Sequence, residues 1–169
     1  MRLNLFILGL VIATGLALTY GFDRLPPPAA KNAADFAFTD MNNQRHKLSD
    51  FKNQVVVLNF WASWCAPCVE EFPRLIEAAQ NNSNITLIAL SSDIDKKAVQ
   101  NFIAKHKIPA AKNIFIALDE QDITGKLYQT FMLPETYVLD GNLKIRKKFV
   151  GADWTITDLQ QAITNAAPQ

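Results

Sequence analysis

The chain has 169 residues, 49% of them apolar and 20% charged, which is the composition of one globular domain with an appendage. Seventeen Lys and Arg stand against sixteen Asp and Glu, a net charge of +1, and this excludes the basic field that gathers nucleic acid. The two cysteines, Cys65 and Cys68, are too few for a disulfide-stapled miniprotein or a four-thiolate zinc site, and their place in one four-residue window says that they act together.

From Leu3 to Phe22 the chain runs twenty residues without a charge, the length of a bilayer-spanning helix. Only Arg2 and the α-amino group precede it, an orientation that keeps the N-terminus in the cytoplasm and exports the rest of the chain. Residues 1–22 are therefore expected to be a single-pass anchor. Cleavage near Gly15-Leu16-Ala17 would instead make them a signal peptide. Residues 23–34 contain Pro26-Pro27-Pro28, which cannot donate backbone hydrogen bonds and predict a stiff, solvated linker. Residues 35–169 are expected to form the exported domain. Over 31–169 the chain holds fifteen basic and fifteen acidic residues, so this part is neutral.

Alternation in Asp35–Thr39, a turn signal at Asn42-Asn43 and a return over Gln44–Leu48 predict a small hairpin. Val55–Ala62 is a continuous β-branched and aromatic run, the pattern of a strand covered on both faces. After Cys65, the apolar positions Val69, Phe72, Leu75, Ile76 and Ala79 recur at helical spacing, with Glu70, Glu71, Arg74 and Glu77 on the other face; Pro73 predicts a kink one turn in. Strands are expected over Ile85–Ser91 and Ile114–Leu118, and a helix over Asp95–Lys107. A short helix over Ile123–Phe131 should come next, then strands Glu135–Leu139 and Leu143–Val150, joined across Asp140-Gly141-Asn142, and a helix over Thr155–Ala166. This order predicts an α/β layer structure with a mixed sheet, parallel at the helical crossovers and antiparallel at the last hairpin.

Trp61-Ala62-Ser63-Trp64-Cys65-Ala66-Pro67-Cys68 falls at a predicted strand-to-helix junction. A helix start brings the two sulfurs into bridging range, and its unpaired N–H groups and partial positive charge favour a thiolate at Cys65. Cys65 is then the attacking sulfur. Cys68, one turn inside, is the resolving one. A zinc site would need His46 and His106, which lie outside finger spacing, and haem attachment would need His where Val69 stands. A structural disulfide closing so short a loop gains little, and free thiols would pair in an oxidising compartment. The two histidines read as surface or packing residues, and the expected redox group is the Cys65–Cys68 disulfide itself, without metal or other cofactor.

Asn59-Phe60-Trp61-Ala62-Ser63-Trp64-Cys65-Ala66-Pro67-Cys68, Pro73, and Leu133-Pro134-Glu135-Thr136 before a late strand together resemble the thioredoxin superfamily, and within it the TlpA-like branch with its ResA-like and CcmG-like reductases. The resemblance covers residues 35–166. It implies a thioredoxin-like fold, a central mixed sheet flanked by helices, with an added N-terminal hairpin. It also implies that Cys65 is the nucleophile, Cys68 the resolving thiol and Pro134 a cis-proline facing disulfide and substrate. Trp64, Leu133 and Glu135 fall beside it as substrate-contacting positions, Ala66 and Pro67 tune the potential, and Trp61 belongs to the core. Many thioredoxins place a buried aspartate where this chain has Asn59, which cannot act as a base. Asp93, Glu135 or water is the expected proton acceptor for Cys68, and Glu70 and Glu71 would oppose a thiolate at Cys65 if close to it.

The resemblance thus implies a thiol-disulfide reductase of the bacterial inner membrane, with its domain on the periplasmic or extracytoplasmic side; after signal cleavage it would be soluble in the periplasm. Implied clients are the haem-binding cysteines of apocytochrome c, or copper-site cysteines of an oxidase assembly protein. The implied electron donor is a membrane carrier of the DsbD or CcdA type. Two other readings remain: the same chemistry reversed, as a disulfide donor, or a non-enzymatic adaptor that binds a metal or a partner. A peroxidase is disfavoured because Ala62 stands where the peroxidatic pattern needs Thr or Ser.

Overall fold

The computed structural model describes residues 31–167. The expected anchor, residues 1–22, and the proline run lie outside them. Among the described residues no helix is long and apolar enough to cross a membrane.

The chain enters along the domain. Lys31–Ala34, the end of the expected linker, lie against the last hairpin: Ala33 N donates to Leu143 O and Ile145 N to Lys31 O. A hairpin of β1 (Ala37–Thr39) and β2 (Arg45–Lys47) comes first, closed by a 3-10 turn over Leu48–Phe51. Then come β3 (Val55–Trp61), α1 (Ala66–Gln80), β4 (Ile85–Ser91), α2 (Lys96–Lys105), β5 (Ile114–Leu118), α3 (Ile123–Lys126), β6 (Glu135–Leu139), β7 (Ile145–Val150) and α4 (Ile156–Ala166).

The main sheet has the order β5-β4-β3-β6-β7. Pairing is parallel where helices connect the strands, β3 with β4 and β4 with β5, and antiparallel for β3 with β6 and β6 with β7. The fold is thioredoxin-like with the added hairpin, as the pattern of elements predicts. β3 and β4 are buried along their whole length, so neither shows alternation in sequence.

Period-two alternation divides the core into two layers. Val55, Val57 and Trp61 face α1, α2 and α4 and pack with Phe72, Leu75, Phe102 and Leu159. Val56, Leu58 and Phe60 face the hairpin side and pack with Phe38, Phe51, Tyr137 and Leu139. His46 joins this second layer, 4.8 Å from Phe115 by ring centroids and bonded through Nε2 to Asp40. His106 stacks on Phe102 at the end of α2. Both histidines serve packing.

One element is much shorter than expected. The helix expected over Ile123–Phe131 is one short turn, Ile123–Lys126. Gln129 adopts a left-handed φ of 52°, and Thr130 N turns back to Thr124 O (3.0 Å), so the chain leaves the helix there. Pro73 sits inside α1 without ending it.

Candidate active site: a disulfide at the head of a helix

The buried strand β3 ends at Trp61, whose ring is wedged against Phe72 and Phe102 at 4.5 and 4.6 Å. This fixes the exit direction of the chain. Ala62 to Trp64 turn it, Cys65 N donates to Ala62 O, and Cys65 becomes the N-cap of α1. Its Sγ accepts from Cys68 N at 3.3 Å, the bond that a capping oxygen would otherwise take. Ala66 and Pro67 form the first turn, where the missing N–H of proline leaves no bond unmade. Cys65 and Cys68 are joined in a disulfide with Cα atoms 5.2 Å apart.

The two sulfurs are unequal. Both pack in the core, but Cys65 is 6% exposed and lines an open cavity of about 530 Å³, whereas Cys68 is 1% exposed and does not reach it. Trp64 and Leu133 line the same cavity. The Leu133–Pro134 peptide is cis, and Pro134 O accepts from Gly151 N (2.9 Å), tying this loop to the end of β7.

Beneath the disulfide lies a polar network that the pattern of charges does not reveal. Asn59 on β3 and Thr136 on β6 are cross-strand partners pointing towards α1. Asn59 Nδ2 donates to Glu71 Oε1 (2.7 Å) and to Thr136 Oγ1 (2.9 Å), and Thr136 Oγ1 donates to the same Oε1 (2.7 Å). Trp154 Nε1 donates to Oε2 (3.0 Å). Glu71 is 1% exposed. Burial pushes its carboxyl up from 4.5 to about 7, against the lowering effect of Thr136, Trp154, Arg74 and Asn59. Arg74 does not pair with it directly; its guanidinium lies over the Trp154 ring and donates to the carbonyls of Ala152 and Trp154.

The expected acceptors sit elsewhere. Asp93 accepts from Ser63 N (2.9 Å), Ser63 Oγ (2.7 Å) and Ser91 Oγ, and so fastens the loop ahead of the cysteines to the end of β4. Glu135, although next to Pro134, turns its carboxylate to the opposite layer of the core, because adjacent strand residues face opposite ways. There it receives Thr130 Oγ1 (2.7 Å), Tyr137 Oη (2.8 Å) and Lys148 Nζ (2.8 Å). The amphipathic pattern puts Glu71 on the solvent face of α1, and the structure buries it instead. The signal that points there is its spacing, three residues after Cys68 and four before Leu75, which places it on the apolar arc.

A dithiol-disulfide pair at a helix N-terminus, on a thioredoxin fold and sharing a cavity with the residue before a cis-proline, defines a thiol-disulfide oxidoreductase. The chain belongs to the redoxin family, whose profile matches residues 28–163, and within the thioredoxin superfamily it is of the TlpA/ResA type. It is 30% identical over 143 residues to the thiol-disulfide oxidoreductase ResA of Bacillus cereus, covering 82% of this chain and 80% of that one. With the ResA of Bacillus anthracis it shares 32% over 146 residues, again 82% and 80%. Its fold matches the Chlorobium tepidum protein described as thiol:disulfide interchange protein DsbE with a TM-score of 0.71 and 31% identity, over 81% of this chain and 96% of that one.

Proposed function

We propose that the protein is an exported, membrane-anchored reductase of protein disulfides, with Cys65 as nucleophile and Cys68 as resolving thiol. The carrying observation is the asymmetry of the pair: Cys65 caps a helix and borders a cavity, and Cys68 is buried one helical turn before Glu71. In the dithiol form the helix N-terminus holds Cys65 as thiolate. Its Sγ attacks one sulfur of the substrate, the substrate S–S bond breaks, and the leaving sulfur takes a proton from water. Cys68 gives its proton to the Glu71 carboxylate, then attacks Cys65 Sγ, which closes the intramolecular disulfide and frees the second substrate thiol. Two electrons have passed to the substrate. A carboxyl poised near 7 accepts and returns a proton at neutral pH, which an ordinary glutamate does poorly.

Trp64, Leu133 and Pro134 border the incoming chain, Ala66 and Pro67 set the potential, and Asn59 positions Glu71. The two ResA relatives support thiol-disulfide exchange; the client proposed for it is apocytochrome c or a copper-site protein, both with cysteines that must be kept reduced, and the donor a membrane dithiol carrier of the DsbD or CcdA type. Residues 3–22 support the anchor by length and apolarity.

The test is the equilibrium reduction potential of the Cys65–Cys68 couple against a dithiothreitol or glutathione buffer. A value near or below about −220 mV is expected of a reductase, and one near about −120 mV would overturn it in favour of a disulfide donor.

A further inference from the structure

We propose that the end of the domain opposite the disulfide is a lipid-docking face: Lys31, Lys52, Lys112 and Lys144 rest on anionic phospholipid headgroups and hold Cys65 away from the bilayer. This rests on the membrane anchor proposed above.

The register of the sheet fixes which groups share an end. β4 runs beside β3 in the same direction and β6 in the opposite one, so Val55, Ile85, Leu139 and Ile145 lie at one end. The disulfide follows Trp61 at the other, about 20 Å away along β3. The chain enters at the first end: Asn32 bridges to Lys144, and Ile145 N donates to Lys31 O, so Lys31 is fastened to the start of β7. Eight residues, 23–30, separate Lys31 from the apolar segment that ends at Phe22, and eight residues span at most about 30 Å. A chain anchored by that segment keeps this end of the domain close to the membrane surface.

The charges there suit an anionic surface. Lys52 precedes β3, in the loop where Asn53 N donates to Gly141 O; Lys112 precedes β5 and Lys144 precedes β7. With Lys31, all four are exposed, and they spread across the sheet from β5 to β7, about 19 Å. Asp140, the carboxylate among them, is buried and engaged by Asn142 N, Lys144 N and Arg146. The exposed carboxylates nearest to them in the chain are Asp50, which accepts from Lys47 N, and Glu77 in the last turn of α1. The disulfide end has the opposite balance, with Glu70, Asp95, Glu120, Asp122 and Asp153 all exposed against Lys97 and Lys126. The domain is neutral as a whole, so this separation of charge turns its lysine end towards an anionic bilayer. Each lysine at such a surface strengthens binding about fivefold. A short tether makes the contact intramolecular, so a few lysines suffice.

The test uses the full chain reconstituted in vesicles of phosphatidylcholine, alone or mixed with phosphatidylglycerol. Its lysines are acylated by a membrane-impermeant succinimidyl ester and followed one by one by mass spectrometry. Phosphatidylglycerol should slow acylation of Lys31, Lys52, Lys112 and Lys144 about fivefold relative to Lys97 and Lys126, and salt at about 0.5 M should abolish the difference. In the triple variant Lys52→Gln, Lys112→Gln, Lys144→Gln the slowing at Lys31 should fall to about twofold or less. Equal slowing at both ends of the domain, or none at either, overturns the docking face while leaving the anchor intact. Slowing that is the same in pure phosphatidylcholine, or that grows with protein density in the vesicles, assigns the face to another contact or to a second copy and also overturns it. A chain that separates from phosphatidylcholine vesicles on flotation in high salt overturns the anchor, and the docking face with it.

Discussion

Glu71 and Glu135 are both buried carboxylates within the reach of β6, on opposite sides of the same sheet, and the protein treats them differently. Glu135 has a cation, Lys148 at 2.8 Å, and two hydroxyl donors. Glu71 has only neutral donors: an amide, a hydroxyl and an indole. Neutral donors orient a carboxylate without neutralising it, so burial wins and Glu71 holds its proton up to about pH 7. Glu135 fastens a loop, through Thr130 Oγ1, Tyr137 Oη and Lys148 Nζ. Glu71 lies one turn beyond a thiol that must gain and lose a proton, which needs a charge that changes.

The largest test of that contrast is stability against pH. Because Glu71 is raised from 4.5 to about 7, the native state binds a proton that the unfolded chain has released between those values. Its contribution is full below pH 4.5 and is lost as pH rises through about 7, a fall of about 3 kcal/mol. Urea unfolding of the disulfide form at pH 5 and pH 8 should show this fall, and Glu71→Gln should flatten it. An equal fall in the variant would show that another group titrates.

Removing the cation from the other carboxylate is the converse experiment. Lys148→Met leaves Glu135 buried among two hydroxyls, an arrangement like that of Glu71, and should cost about 2 kcal/mol. This is below the full cost of breaking a buried pair because Lys148 is itself partly exposed. Chemical denaturation at pH 7 measures it, and a cost near zero would mean that water replaces the ammonium.

Kinetics separates the two glutamates by role. Glu71→Gln should lengthen the life of the mixed disulfide about tenfold and remove the rise of the resolving step around pH 7. Glu135→Gln should leave that pH profile in place. Acid-quenched samples analysed by mass spectrometry give the lifetime, and matching profiles for both variants would remove Glu71 from the proton path.

The same physics separates the legible parts of the sequence from the rest. β4, β5 and β6 match their expected bounds to the residue because each is an apolar run between polar turns. The disulfide and its helix are readable from two cysteines at a strand-to-helix junction. Glu71 is not readable from amphipathicity alone, because α1 is covered both by the sheet and by the Trp154 segment ahead of α4, and its buried arc is wider than a two-layer helix has. Glu135 does stand beside Pro134, but neighbouring residues on a strand point apart, and position beside a site is not orientation towards it. The loop Phe131–Met132 has the periodicity of a helix end. It is a loop because Gln129 takes a left-handed turn that helical periodicity does not report.

The smallest effect sharpens the comparison through two buried threonines. Thr136 Oγ1 both accepts from Asn59 and donates to Glu71, so Thr136→Val removes one of the donors that hold Glu71 ionisable and leaves Asn59 short of an acceptor. It should cost about 1 kcal/mol and push the Glu71 transition further up in pH. Thr124 Oγ1 has no partner among the described residues, so Thr124→Val exchanges a desolvated hydroxyl for a methyl of similar size. It should gain about 0.5 kcal/mol, read as a higher Tm. If Thr124→Val instead lowers Tm, the hydroxyl is satisfied in the folded protein, by a buried water for example, as Thr136 is by Glu71.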